Sequence, residues 1–210
     1  MHLFRIIMLF VFFCQLAACK GEKSDTSYKT ISYIKDTAAE EKSLFTLLDS
    51  SATGVTFSNP IIESEELNIL TYEYLYNGGG VAAGDINNDG LPDLYFTGNM
   101  VPNKLYLNLG NFKFKDITAS SGTDGGRGYK TGVTMADVNN DGWLDIYVCK
   151  SLVGDPQYRK NLLYINNGNM TFSEEAAEYG IDDASFSTQA YFFDMDADGD
   201  LDLFLLNHPP

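Results

Sequence analysis

Three stretches of nine residues carry the chemistry of this sequence. Residues 85–93 read Asp-Ile-Asn-Asn-Asp-Gly-Leu-Pro-Asp, residues 137–145 read Asp-Val-Asn-Asn-Asp-Gly-Trp-Leu-Asp, and residues 194–202 read Asp-Met-Asp-Ala-Asp-Gly-Asp-Leu-Asp. Oxygen-bearing side chains stand at positions 1, 3, 5 and 9 of each, with glycine at position 6. Such a loop gathers its oxygens on the inside. The glycine lets the backbone turn sharply, and position 7 adds its carbonyl. Ca²⁺ is a hard cation that takes six to eight oxygens at about 2.3–2.6 Å. The expected ligands are Asp85, Asn87, Asp89, the Leu91 carbonyl and Asp93 in the first loop. In the second they are Asp137, Asn139, Asp141, the Trp143 carbonyl and Asp145. In the third they are Asp194, Asp196, Asp198, the Asp200 carbonyl and Asp202.

Electrostatics favour the same ion. Each loop gathers three or four carboxylates that repel one another at close range without a cation. Three Ca²⁺ would bring the formal charge from −15 to −9. Magnesium is disfavoured, because it demands octahedral geometry and keeps its waters. An EF-hand is excluded: it needs a bidentate Glu at position 12, where these loops have Phe96, Val148 and Leu205.

The loops sit in a repeated frame. Their starts lie 52 and 57 residues apart. A short apolar segment precedes each, at 80–84, 132–136 and 190–193. A β-rich run follows each, at 94–96, 146–149 and 203–206. The first two repeats continue in parallel. Asn103-Lys-Leu-Tyr-Leu-Asn108 with Gly110 matches Asn161-Leu-Leu-Tyr-Ile-Asn166 with Gly168, and Phe114 and Phe172 each open a fourth segment. Residues 45–54 echo 114–122, so the chain is expected to enter the repeat at its last strand. Only 40–48 and 174–179 show any helical period. Four-stranded units of this length predict an all-β chain of β-propeller blades, about two and a half of them, the loop lying between the first and second strands of each.

These motifs resemble FG-GAP or VCBS repeats, as in the calcium-loaded blades of integrin α-subunit propellers. The Tyr-Asn-Gly-Gly-Gly-Val-Ala run at 76–82 and the Phe-Lys-Asp-Ile-Thr run at 114–118 resemble large bacterial surface lipoproteins and the cartilage acidic protein family of ASPIC/UnbV type. The resemblance covers about residues 44–210 and implies a propeller of about seven blades, of which this chain is an N-terminal part.

Residues 1–18 read as an export signal: Arg5, a short apolar run, then small residues. The run is too short to span about 30 Å of hydrocarbon. Leu16-Ala17-Ala18-Cys19 resembles the lipobox of bacterial lipoproteins, in which cleavage precedes the cysteine and the cysteine carries the lipids. That implies lipidation at Cys19 and a membrane anchor, with the outer membrane and the cell surface as destination. Residues 19–43 are a polar tether, and 44–210 are the repeat region. Cys14 leaves with the signal, and Cys149 is then a lone thiol.

Function follows by elimination. With 29 Asp plus Glu against 14 Lys plus Arg, the chain lacks the basic face that nucleic acid requires. The two histidines, His2 and His208, lie at the ends. The reading is a non-catalytic binding or adhesion module for a glycan or protein ligand, presented on loops at 60–70, 120–130 and 152–160. The Tyr72, Tyr74 and Tyr76 trio is expected on one face of a strand, packing between blades. The alternative is the propeller part of a polysaccharide hydrolase or lyase, with Glu65-Glu66 or Glu174-Glu175 as acid and base. The glycine run at 125–128 is no dinucleotide fingerprint, because no strand–helix unit surrounds it.

Overall fold

The computed structural model describes residues 45–209 except Val153. The export signal, Cys19 and the whole of the tether lie outside the described residues. The elements below belong to a compact unit spanning Leu47–Pro210.

Three antiparallel sheets follow one another along the chain. The first contains β1 (Val81–Gly84), β2 (Asp93–Phe96), β3 (Lys104–Asn108) and β4 (Phe114–Asp116) in that order. The second repeats the order with β5 (Tyr129–Ala136), β6 (Asp145–Ser151), β7 (Leu162–Asn166) and β8 (Phe172–Glu174). The third pairs β9 (Ser187–Phe193) with β10 (Asp202–Asn207). This is the expected all-β series of two full blades and half of another. Matched pairs such as Ala83–Leu94 and Met135–Ile146 show the same register around the first two loops.

Blades stack face to face, and alternation along each strand sorts the side chains. One core lies between the first two sheets and holds Ile86, Tyr95, Leu105, Val133, Ile146, Val148 and Tyr164. Another lies between the second and third and holds Tyr147, Cys149, Leu163 and Ala190, with Phe192, Leu203 and Leu205 against it. The opposite residues of the third sheet, Tyr191, Phe193, Phe204 and Leu206, are exposed. Strand β6 has a neighbour on both faces and is buried at all seven positions. First strands of successive blades touch backbone to backbone: Gly80 N–H donates to the Thr131 carbonyl (2.7 Å). A Cβ on Gly132 would meet the Thr188 carbonyl oxygen at 2.3 Å, so glycine alone permits that approach.

Three expectations change. Residues 45–49 form no strand, and what the echo at 45–54 repeats is a helical turn. Helix α1 (Ser50–Thr53) ends on Gly54 at φ 81°, as α2 (Thr118–Ser121) ends on Gly122 at φ 78°. Residues 174–179, with their helical period, make only a turn in which the Glu178 and Tyr179 N–H groups bond the Glu175 carbonyl. The tyrosine trio is not on a strand. Consecutive turns closed by Thr71, Leu75 and Asn77 N–H bonds to residues three back bury Tyr72 and Leu75 and leave Tyr76 exposed. Tyr72 packs edge-on to Tyr129 of β5 at 5.6 Å, and its hydroxyl reaches Ser151 of β6 and His208 beyond β10.

Candidate metal centres

Each nonapeptide spans the first and second strands of its sheet, at the same end of all three. Side-chain oxygens hold the loop open from inside. Asp85 Oδ1 accepts the Asp89 N–H (3.1 Å) and its Oδ2 accepts the Gly90 N–H (2.7 Å). Asp137 does the same for Asp141 and Gly142 (2.9 and 2.8 Å), and Asp194 for Asp198 and Gly199 (3.2 and 3.1 Å). The carboxylate at position 5 accepts the N–H at position 7 in every loop, at 2.8, 2.8 and 3.2 Å. In the first two loops the Asn at position 3 donates to it as well. Among the described residues, no hydrogen-bond donor reaches the carbonyl oxygens of Leu91, Trp143 or Asp200.

Position 9 ties the loop to the sheet. Asp93 is fully buried; its Oδ2 accepts the Ile86 N–H (3.0 Å) and its Oδ1 the Asn108 N–H of β3 (2.7 Å). Asp145, also fully buried, accepts from Val138 (3.0 Å) and from Asn166 of β7 (2.8 Å). Burial pushes the Asp145 carboxyl up to about 6 despite those two donors, and Asp141 and Asp137 add like charge. Asp93 is raised for the same reasons. Carboxylates held this way beside other acids gain from a cation.

The third loop has no third strand beside it among the described residues. Asp202 accepts only the Met195 N–H (2.8 Å). Here the carboxylates of Asp194, Asp196 and Asp202 lie within 4.8 Å of one another. Three hard oxygen donors so close, with the position-7 carbonyl unbonded, fit the chemistry of Ca²⁺. Bound there, the ion would neutralise the carboxylates and fix the turn between first and second strands.

Two positions escaped the sequence reading. Position 4 is left-handed throughout: Asn88, Asn140 and Ala197 have φ of 59°, 57° and 64°. Asn tolerates this conformation, which is the signal that was available. Asn88 also reaches across blades, its Nδ2 donating to the Gly142 carbonyl at position 6 of the next loop (3.0 Å). Asn166, visible as a repeat of Asn108, is a second bridge. Its Nδ2 donates to the Ile86 carbonyl of the preceding blade (2.9 Å) and to the Leu144 carbonyl (3.1 Å).

At the opposite end of the blades, His208 joins two buried groups. Its Nε2 lies 2.9 Å from Ser151 Oγ and 3.2 Å from Tyr72 OH, and its ring stacks on Tyr74 at 3.8 Å. Ser151 is fully buried, and this contact ties the end of β10 to β6. One member of each glutamate pair is engaged by its neighbours. Glu174 Oε1 accepts the Leu163 and Ala176 N–H groups, while Glu66 and Ser64 bond each other.

Comparison with known proteins fits this arrangement. A family model described as an FG-GAP-like repeat matches residues 85–148 and 152–205. The chain is similar to cartilage acidic protein 1 of Xenopus tropicalis, 28% identical over 191 residues, which are 90% of this chain and 29% of that protein. It is also similar to cartilage acidic protein 1 of Mus musculus, 39% identical over 69 residues, and of Homo sapiens, 39% over 72; these are 33% and 34% of this chain and 11% of each relative. The chain thus spans less than a third of the length of these relatives.

Proposed function

The chain belongs to the FG-GAP-like repeat family, and we propose that it is a calcium-binding β-propeller module which binds a ligand without transforming it. The observation that carries this reading is the recurrence of one oxygen-lined loop at one place in three successive sheets, its position-7 carbonyl unbonded each time. The metal would act as a structural staple and the loops at the far end would meet the ligand, a glycan or a protein. The Leu-Ala-Ala-Cys sequence ending at Cys19 supports lipid anchoring of an exported bacterial lipoprotein, at the outer membrane and facing outward. The hydrolase or lyase reading is weaker, because Glu174 and Glu66 are engaged by neighbouring groups.

The test has two arms on the full-length protein. Chelation with EDTA should lower the melting temperature, calcium should restore it, and magnesium should restore it poorly. Cys19→Ser, expressed in a Gram-negative host, should lose labelled palmitate and membrane association. An unchanged melt in EDTA would remove the metal reading, and unchanged membrane retention would remove the anchor.

A further inference from the structure

The Gly125-Gly126-Arg127-Gly128 run connects the first sheet to the second, and the metal loops make no use of it. Its glycines take left-handed φ values of 82°, 54° and 116°. A Cβ on Gly128 would lie 2.1 Å from the Tyr158 carbonyl oxygen and 2.6 Å from Lys150 Cε. The backbone is therefore pressed against its neighbours in a conformation only glycine takes without strain. Two lysines hold it from behind: Lys150 Nζ donates to the Arg127 carbonyl (2.6 Å) and Lys130 Nζ to the Gly126 carbonyl (3.4 Å). These lysines face each other across β5 and β6 and are only 3% and 5% exposed.

Neither lysine belongs to an ion pair among the described residues. Among the described residues the ion pairs are Lys104–Asp116 and Lys160–Asp182, which include neither lysine nor Arg127. Burial first, and the Lys150 charge second, lower Lys130 to about 8. The Arg127 guanidinium is exposed and rests on Tyr158, its carbon 4.2 Å from the ring centroid and its Nη1 donating to the Tyr158 hydroxyl (2.9 Å). A guanidinium has five N–H donors, and the rest find no acceptor among the described residues. Three cationic groups thus cluster in a protein of net charge −15, with Asp124 near Lys130 and Glu174 near Lys150 as acids that act on them without forming an ion pair.

A cavity of about 280 Å³ opens beside Arg127, the one of the three that lines it, with Leu67, Met100, Tyr129, Leu152 and Tyr158 also in its wall. Each of the three loops expected to present a ligand, at 60–70, 120–130 and 152–160, contributes to it. We propose that this cavity binds one carboxylate-bearing sugar ring, the hexuronate unit of an acidic glycan. This rests on the binding-module reading and names its ligand. The planar fork of Arg127 matches a carboxylate. Leu67, Met100 and Leu152 meet the C–H face of the ring, and its hydroxyls stay toward solvent. The volume lies at the foot of the roughly 300–1,000 Å³ range of ligand pockets, which suits a single ring. A monoanion fits better than a phosphate dianion, because the acidic protein around the site repels the second charge.

The experiment is titration of the calcium-loaded, full-length protein with methyl glucuronide, methyl glucoside, glucose 6-phosphate and benzoate, followed by calorimetry. Saturable binding of the glucuronide, at least tenfold tighter than each of the others, is the expected result. Arg127→Gln should weaken it at least tenfold with the melting temperature and calcium response unchanged. Arg127→Lys should recover part of the loss, and Lys115→Gln, at an exposed position of β4 away from the cavity, should bind as the parent does. Equal affinity for glucuronide and glucoside would overturn the carboxylate assignment, and tighter glucose 6-phosphate would overturn the monoanion argument. Tighter benzoate would overturn the sugar. No binding of the glucuronide by a protein that still responds to calcium would overturn this site alone. Loss of the calcium response would instead strike the function it rests on.

Discussion

Asn166→Ala should be more damaging than the same change at its repeat equivalent, Asn108. The Asn166 side chain makes three hydrogen bonds: to the Ile86 and Leu144 carbonyls, and from the Gly168 N–H at 3.0 Å. It is 3% exposed, so water cannot replace them. At about 1 kcal/mol net for each bond, and with buried partners left unsatisfied, the loss is about 3 kcal/mol. Asn108 makes two such bonds, to the Pro92 carbonyl (2.8 Å) and from the Gly110 N–H (2.9 Å), in a half-buried setting. Water reaches those groups, and the loss is about 1 kcal/mol. The difference of about 2 kcal/mol is the worth of tying one blade to the 85–93 loop of the blade before it. Denaturant unfolding of the full-length protein in saturating calcium measures both. Equal losses, or a loss under about 1 kcal/mol for Asn166→Ala, would refute the claim that this side chain couples the blades.

Other outcomes follow from particular contacts. Asp89→Ala should remove one calcium site, worth about 2.7 kcal/mol at a hundredfold excess over Kd, and the deficit should vanish in EDTA. Asn88→Ala, whose backbone is left-handed and whose amide bonds Gly142, should cost about 1–2 kcal/mol with or without the metal. Denaturant melts of both variants in each condition decide this. Cys149, buried and pushed up to about 12, should ignore a disulfide reagent at pH 8 until the protein is denatured. Lys130 gives a pH signature. Its folded value near 8 lies below the ordinary 10.5, so the unfolded chain binds more protons between those values and stability rises with pH there, by on the order of 3 kcal/mol. Above about 10 the rise reverses, because buried tyrosines such as Tyr164, raised to about 12, stay protonated in the fold and ionise in the unfolded chain. Lys130→Met should flatten the climb in denaturant unfolding between pH 8 and 10.

The strands and the nine-residue loops between them were legible in the sequence because both are local. Alternating apolar residues after each loop bury one face, and Gly90, Gly142 and Gly199 take φ of 83°, 88° and 96° where position 6 demands it. What escaped was long-range or turn-borne. Tyr72, Tyr74 and Tyr76 have the spacing of a strand, but no neighbouring strand offers them a ladder, and turns at 68–77 send 72 and 75 inward together. Asn88 and Asn166 are ordinary members of their repeats until the next blade arrives to meet them. Arg127 lay in a run of glycines whose purpose depends on Tyr158 and Lys150, thirty-one and twenty-three residues further along.

The stacking of sheets has a consequence for how far a disturbance travels. Each blade touches its sequence neighbours through a seam: Gly80 on Thr131, Thr131 on Ser187, Asn166 on Ile86. The molecule behaves as a row of coupled units, each able to loosen at a cost set by the seams it shares. The sheet of β6 has a neighbour on each face and breaks two seams to open. Amide exchange should therefore be slow at β6, and damage to one nine-residue loop should be felt one blade away and fade beyond.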